Sequence, residues 1–583
     1  MSRLHMISLG VISLAALLCV RCTSFTSTSS PTTAVSDTQT SQVVVSSTPT
    51  SQGAAVQPGA VQTPTANSPA TKNPAAPFYN WLQFNGSSEH TGVNASETII
   101  NPSNVSTLAK LFQVTLPAVE DGAGVYLSNI ETIKGTHDVL FLSTEAGHIL
   151  AVDAITGAVI WSHQYAAGAC KINNGSTPCF TLTSPAIDPN LKYVYSYGLD
   201  GAVHKYQVGD GTEIKTGNWP ETATLKPFNE KESPALSIAT TSGGASYLYV
   251  SNGGNLGDQG DYQGHVTAIN LADGSQHVFN SLCSDQTVHF AETPATPDCP
   301  EVQSAIWARP GVVFDPDTQK IYMATGNGAY NPAQHDWGDT VFALNPDGTG
   351  ANGDPLDTFT PADFQSLQNS DFDLGSTNPA ILPPPPNSKF PHLAVQGGKD
   401  QKLRLINLDN LSGQGEPGHT GGEIGPIISI PQGGPIRSCP ATWTNPDDGS
   451  SWTFVANSNG IAGIKITVDG AGNPSLSPVW HQGPGGHVHV VTTARPGQVA
   501  VPAASQPVPG GQSETPAHQP GQDIVAALQL LAQQVSELQA DNDRLREDYD
   551  QLSAEVARIR ALMRQVGGAI AEKASQLLAG AGD

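Results

Sequence analysis

Apolar and polar residues alternate through much of the chain with a period of two, as at Val139 and Phe141 and again at Ile149 and Ala151. This is the pattern of half-buried strands rather than helices. The clearest unit is FLSTEAGHILAVDAITGAVIW, residues 141–161. It reads as a strand, a Gly turn, a strand at 149–152, a tight turn carrying Asp153, Thr156 and Gly157, and a strand ending in Trp161. The same order recurs five more times, with turn glycines at 157, 211, 274, 348, 413 and 470. No stretch between 78 and 480 has the spacing of an amphipathic helix. A repeated antiparallel unit of about four strands predicts an all-β propeller, which protects sheet edges by radial packing. A β-sandwich would satisfy the strands but not the fixed order of turns. Six blades are recognisable. After Val479-Trp480-His481, where another should begin, the chain runs into GPGGHVHVVTTARPG. The ring therefore either closes with six blades or is an incomplete seven- or eight-bladed one, and the second reading is preferred.

The flanks differ in pattern. Arg3 and His5 precede an apolar run from Met6 to Val20, too short to span a membrane, so 1–22 reads as an export signal. Cys19 and Cys22 followed by TSFTSTSS resemble the end of a lipoprotein signal, with Cys19 as the lipidation candidate. The residues before them are Leu18 and Arg21 rather than small ones, so a lipid anchor and simple secretion both stay open. Either way the protein is expected outside the cytoplasm, secreted or anchored at a bacterial cell envelope. Residues 23–77 are a Ser/Thr/Pro-rich tether that cannot bury enough apolar surface to order itself, 78–490 form the propeller, and 491–522 are a Pro/Gly-rich linker. In 523–583 apolar residues step by three and four through Leu531, Leu538, Leu545 and Leu552, a heptad seam with Asn542 at an a position. A buried Asn there pairs best with its counterpart on a like helix, which predicts a parallel homodimer through 523–566. A helix folded onto the propeller would want a wider stripe.

Composition narrows the function. Acidic residues outnumber basic ones 51 to 26, for a net charge of −25. No dense basic patch offsets this, which argues against nucleic acid and favours cations or a cationic partner. Only 13% of residues are charged, and 59 Gly and 45 Pro mark a turn-rich chain. Cys170 with Cys179, and Cys283 with Cys299, bracket short loops suited to local disulfides in an exported protein. Neither pair has CxxC metal spacing. Cys439 is left over as a buried free thiol.

The motif Ala151-x-Asp153-x-x-Thr156-Gly157-x-x-x-Trp161 resembles the repeat of the pyrroloquinoline-quinone (PQQ)-like propellers, found in quinoprotein alcohol dehydrogenases and the outer-membrane assembly lipoprotein. In that repeat Asp and Thr tie the turn, Gly supplies a positive φ and Trp packs between blades. The resemblance covers about 78–484. It extends to the opening segment WLQFNGSSEHTGVNASETIINPSNVSTLAKLFQV, whose first strand is expected to close the ring against the last blade. It also implies candidate chemistry: IYMATGNGAYNP places Asn327 on a calcium ion, and Asp371 or Asp373 in NSDFDLGST would be the catalytic base beside a bound PQQ. Phe372 stands where a Trp is expected between the acids. No vicinal cysteine pair and no counterpart of the calcium-binding Glu are found. The plainer alternative makes Asn327 a turn residue and the two Asp residues loop caps. Asp258 and Asp261 could hold an adventitious Ca²⁺, and His487 and His489 share one face of a short strand. No GxSxG, HExxH, P-loop or GxGxxG context is present.

Two functions follow. The first is a non-catalytic binding or scaffold propeller, dimerised by its coil, with a protein or small-molecule partner on one face. The alternative is a PQQ- and Ca²⁺-dependent dehydrogenase of alcohols or sugars.

Overall fold

The computed structural model describes residues 79–490 except 98, 102, 105, 106, 111, 167–170, 173–176, 256, 294 and 484–487. The signal, tether, linker and heptad seam lie outside the described residues, as do Cys19, Cys170 and His487. Among the described residues no helix is long and apolar enough to cross a membrane.

Among the described residues, alternating strands fold into six antiparallel sheets of four or five strands in chain order, with three two-stranded sheets in the loops. Blade I is Val125–Thr132, Gly135–Ser143, His148–Asp153 and Val159–Gln164. Blade II runs from Ala186–Ile187 to Glu221–Thr222, blade III from Ser237–Thr240 to Gln276–Asn280, and blade IV from Val313–Asp315 to Asp357–Phe359. Blade V runs from Ala380–Leu382 to Ile428–Ser429. Blade VI comprises Ala441–Thr444, Ser451–Asn457, Gly460–Val468 and Pro474–Gln482, with Val488–Val490 as a fifth strand. Among the described residues one short α-helix, Phe364–Ser370, interrupts the β pattern between blades IV and V. Its seven residues are too few to show helical periodicity in sequence.

Hydrophobic cores join I to II, II to III, III to IV, IV to V and V to VI. Among the described residues none joins VI to I.

The repeat turn explains how neighbours lock. In blade I the Asp153 carboxylate accepts hydrogen bonds from the N–H groups of Ile155 (2.9 Å) and Thr156 (2.6 Å) and from the Thr156 hydroxyl (2.9 Å). Gly157 turns the chain at φ 76°. Trp161 then reaches into blade II, where its indole N–H donates to the Val208 carbonyl at 3.0 Å. Its ring lies on Gly211, where a Cβ would stand 2.6 Å from the indole. Gly211 is thus needed twice, for its φ of 72° and for the close approach. In blade VI the positive φ belongs to Gly472 rather than the expected Gly470, because Asp469 ties the turn through the N–H groups of Ala471 and Asn473.

The opening segment departs from expectation. Instead of closing the ring against the last blade, residues 81–91 cross the inner edges of the blades. Trp81 exchanges backbone hydrogen bonds with Tyr126, and the Leu82, Ser88 and Thr91 carbonyls accept from Ile187, Phe314 and Thr442. The Gln83 amide bonds both backbone groups of Ile238. Residues 108–116 pair with no described strand. Their Phe112 and Val114 lie over Gly157, with a Cβ there 2.7 Å from each, as Trp161 lies over Gly211. They serve blade I as a preceding blade's outer strand would, while the outer edge of blade VI is taken by Val488–Val490.

Replacing Trp161 by Ala should remove about 3–5 kcal/mol of stability. Gly211→Val should be at least as damaging, because it adds strain to the clash. Urea midpoints of the purified variants check both.

Candidate functional site

Loops between blades II and VI enclose a cavity of about 370 Å³ whose lining is rich in glycine, at 253, 254, 257 and 326. The absent side chains leave a flat slot against Trp307. The remaining walls carry opposite charges: Asp258, Asp371 and Asp373 face Lys231, Arg309, Lys399 and Arg437.

Asn327 follows the blade IV strand Lys320–Ala324, Asp371 caps the helix Phe364–Ser370 with φ 53°, and Asp373 opens the next short turn. Although far apart in sequence, they meet. The Asn327 side-chain amide donates to Asp371 (3.2 Å) and its backbone N–H to Asp373 (3.3 Å). The Trp307 indole N–H donates to Asp373 at 3.0 Å. Lys399, at the hairpin after Leu393–Gln396, places its ammonium 2.8 Å from both carboxylates and over the Trp307 ring. The acids differ in access: the Asp371 side chain is 64% exposed and that of Asp373 only 7%.

Asp339 clips the two loops together. Its backbone N–H donates to Gly326 (2.9 Å) and its carboxylate accepts from the Leu374 N–H (3.0 Å). Burial, opposed in part by that hydrogen bond and reinforced by Asp373, pushes its carboxyl up to about 8. Around Lys399, burial disfavours the charge but the Asp373 and Asp371 carboxylates outweigh it, and the amine sits above its ordinary range. Asp258 is raised by burial and by the same two carboxylates. Lys231 is lowered to about 8 by burial and then by Arg309, with its ammonium 4.2 Å from the Phe180 ring centroid.

Asn327, Asp371 and Asp373, named from sequence, are therefore brought into one cluster. Asp258 lines the same cavity, whereas Asp261 turns away to bond Lys226 (3.1 Å) and Thr293 (2.6 Å). Sequence reading missed Trp307, Lys399, Asp339 and Lys231. Asp339 and Lys399 lie within repeat units, where they read as strand and turn residues, and Trp307 and Lys231 lie in segments between units that carry no motif. Among the described residues no three His, Cys, Asp or Glu side chains are grouped as for a metal ion. Cys283 and Cys299 form a disulfide, and Cys179 is also disulfide-bonded. Cys439 is free but half-buried rather than fully enclosed, its thiol pushed up to about 12 by burial.

No family model matches the sequence, and no curated protein is similar to it. Solved structures are similar in fold. They include the quinohemoprotein alcohol dehydrogenase ADHIIG of Pseudomonas putida HK5 (14% identity, TM-score 0.40, 70% of this chain and 61% of that one). A europium-containing methanol dehydrogenase (16%, 0.42, 68% and 72%) and BamB of Moraxella catarrhalis (12%, 0.30, 58% and 80%) are others. The six sheets described above make the fold a β-propeller. The chain spans less than two thirds of the Pseudomonas enzyme's length.

Whether those residues suit a cation and a quinone is tested by one atom. The Asn327 side-chain oxygen is buried without a hydrogen-bond partner, beside two carboxylates. A buried acceptor left open costs about 1–3 kcal/mol, which a cation would recover. The donors fit.

Carboxylate anions should bind best while Lys231 is protonated. An anion raises its pKa from about 8, so affinity is full below about pH 8 and declines above it. Calorimetric titration with citrate should show this decline in the native chain and not in Lys231→Met.

Proposed function

We propose that this protein is a PQQ- and Ca²⁺-dependent dehydrogenase of alcohols or sugars, acting outside the cytoplasm. The observation that carries the reading is the open, buried Asn327 oxygen beside two carboxylates of unequal exposure, in a glycine-walled slot against an indole. The Asn327 oxygen and the Asp373 carboxylate would hold the cation. Lys231, Arg309 and Arg437 would supply positive charge for the carboxylates of the quinone, and Trp307 a flat apolar surface. When bound, the quinone is the two-electron acceptor that no side chain provides.

The chain's own residues handle the proton. Asp371 is exposed enough to meet a substrate hydroxyl and accept its proton as a general base. Lys399 holds Asp371 in place through its ion pair, and the amide of Asn327 fixes the same carboxylate from the other side. Asp373, buried and triply bonded, is the poorer base and the better anchor.

Binding without chemistry remains a second reading. It is favoured by Lys399, whose ion pairs with both acids already satisfy them.

Purified protein should be loaded with PQQ and Ca²⁺ and assayed for dye-linked oxidation of alcohols and of glucose. Asp371→Ala should lose about 10²–10⁴-fold in kcat, and Asn327→Ala should lose quinone uptake in equilibrium dialysis. Uptake without turnover would favour binding alone, and failure to take up quinone would refute the dehydrogenase.

A further inference from the structure

Blade VI is the one sheet whose outer face has no packed neighbour among the described residues. Its inner face, with Val455, Ala462, Ile464, Ile466 and Leu476, is buried against blade V. The alternate residues form an aromatic ladder on the other face. Trp443 sits opposite Trp452, Phe454 lies 6.3 Å from both rings, and Trp480 follows at 6.1 Å. All four are half-buried. Trp480 lies flat over Gly463, where a Cβ would stand 2.4 Å from the indole, so the surface is kept level. Ile461 on the same face is exposed. An apolar cavity of about 380 Å³ borders the ladder between Val93, Trp443 and Phe454. The only charge on the strands of this face, Lys465, is paired with Asp448 at 3.0 Å.

We propose that this face is a homodimer interface, covered by blade VI of a second copy. Two antiparallel sheets pack face to face about 10 Å apart through interdigitating side chains, and a flat aromatic face suits its own image across a two-fold axis. The chain itself favours a second copy over other occupants. Residues 491–583 continue from the edge strand of this very sheet, and their heptad seam predicts a parallel dimer. A parallel in-register coil has a two-fold axis, which the paired blades can share. A narrow a/d seam is used up by coil pairing and leaves no wide apolar stripe to cover a sheet. Tethering through 491–522 raises the local concentration of the second face to roughly millimolar, which strengthens an interface that already forms at about 100 µM without the coil.

The test uses the full chain in sedimentation velocity. A variant with a broken seam, Leu538→Lys with Leu545→Lys, should still dimerise at about 100 µM, a concentration below the tethered one. Adding Ile461→Arg, a change at an exposed position that spares folding, should make it monomeric. In the wild-type coil, Ile461→Arg should weaken the dimer by about 10²-fold. A seam-broken chain that is monomeric at that concentration would overturn the proposal, as would one whose dimer ignores Ile461→Arg. Trp452→Lys, checked for an unchanged melting temperature, gives an independent second reading of the same face.

Discussion

A sheet with apolar side chains on both faces must be covered on both, and this constraint organises the molecule. Each blade meets it by lending one face to each neighbour, so that stability is shared among five inter-blade cores rather than stored in one. The turn motif is the local instrument. Asp153 and Thr156 stiffen the corner that delivers Trp161, and Gly211 gives it somewhere to lie. The two end blades are where the constraint bites. Blade I is relieved by Phe112 and Val114, which rest on Gly157 in the manner of a missing neighbour's aromatic. Blade VI has aromatics of its own but, among the described residues, nothing of that kind over them.

The cavity is a consequence of the same geometry. Radially packed blades bring the loops at their strand ends together, so residues distant in sequence converge without any being selected for proximity along the chain. Asp339 converts that convergence into a fixed distance, because a single residue bonds the loops bearing Asn327 and Asp373. The electrostatics run against the whole chain: a protein of net charge −25 has four cationic side chains around one slot. Long-range attraction of cations and local preference for an anion therefore coexist, and a cation–anion pair is the ligand that satisfies both.

How much of this was legible in sequence depended on whether a feature is local. Period-two alternation, Asp/Gly turns and Trp161 are local, and they gave the propeller and its blades. Asn327, Asp371 and Asp373 came through a resemblance that is loose around the two acids, where Phe372 stands in place of the expected Trp. Lys399, Trp307 and Asp339 were not legible because each matters only through a partner tens of residues away, as Asp339 does through Leu374. The path of 81–91 was misjudged for a related reason. A strand-like segment has free hydrogen-bonding groups on both edges, and which sheet it meets is decided by tertiary packing. Gly472 replaced Gly470 because Asp469 bonds two and four residues ahead, a choice that spacing alone leaves open.

The gap beside blade VI and the candidate site are mechanically separate. The lining of the cavity comes from the loops of blades II to VI, on the packed side of the arc. The opening segment also hydrogen-bonds the inner edges of blades I, II, III, IV and VI, joining the two ends of the arc across its axis. The sheet face of blade VI that has no packed neighbour among the described residues therefore leaves untouched the wall that holds Asn327, Asp373 and Trp307. An arc tied in this way can carry a small-molecule site at its centre and a protein-sized surface at its end, and the two can be altered independently because no side chain belongs to both.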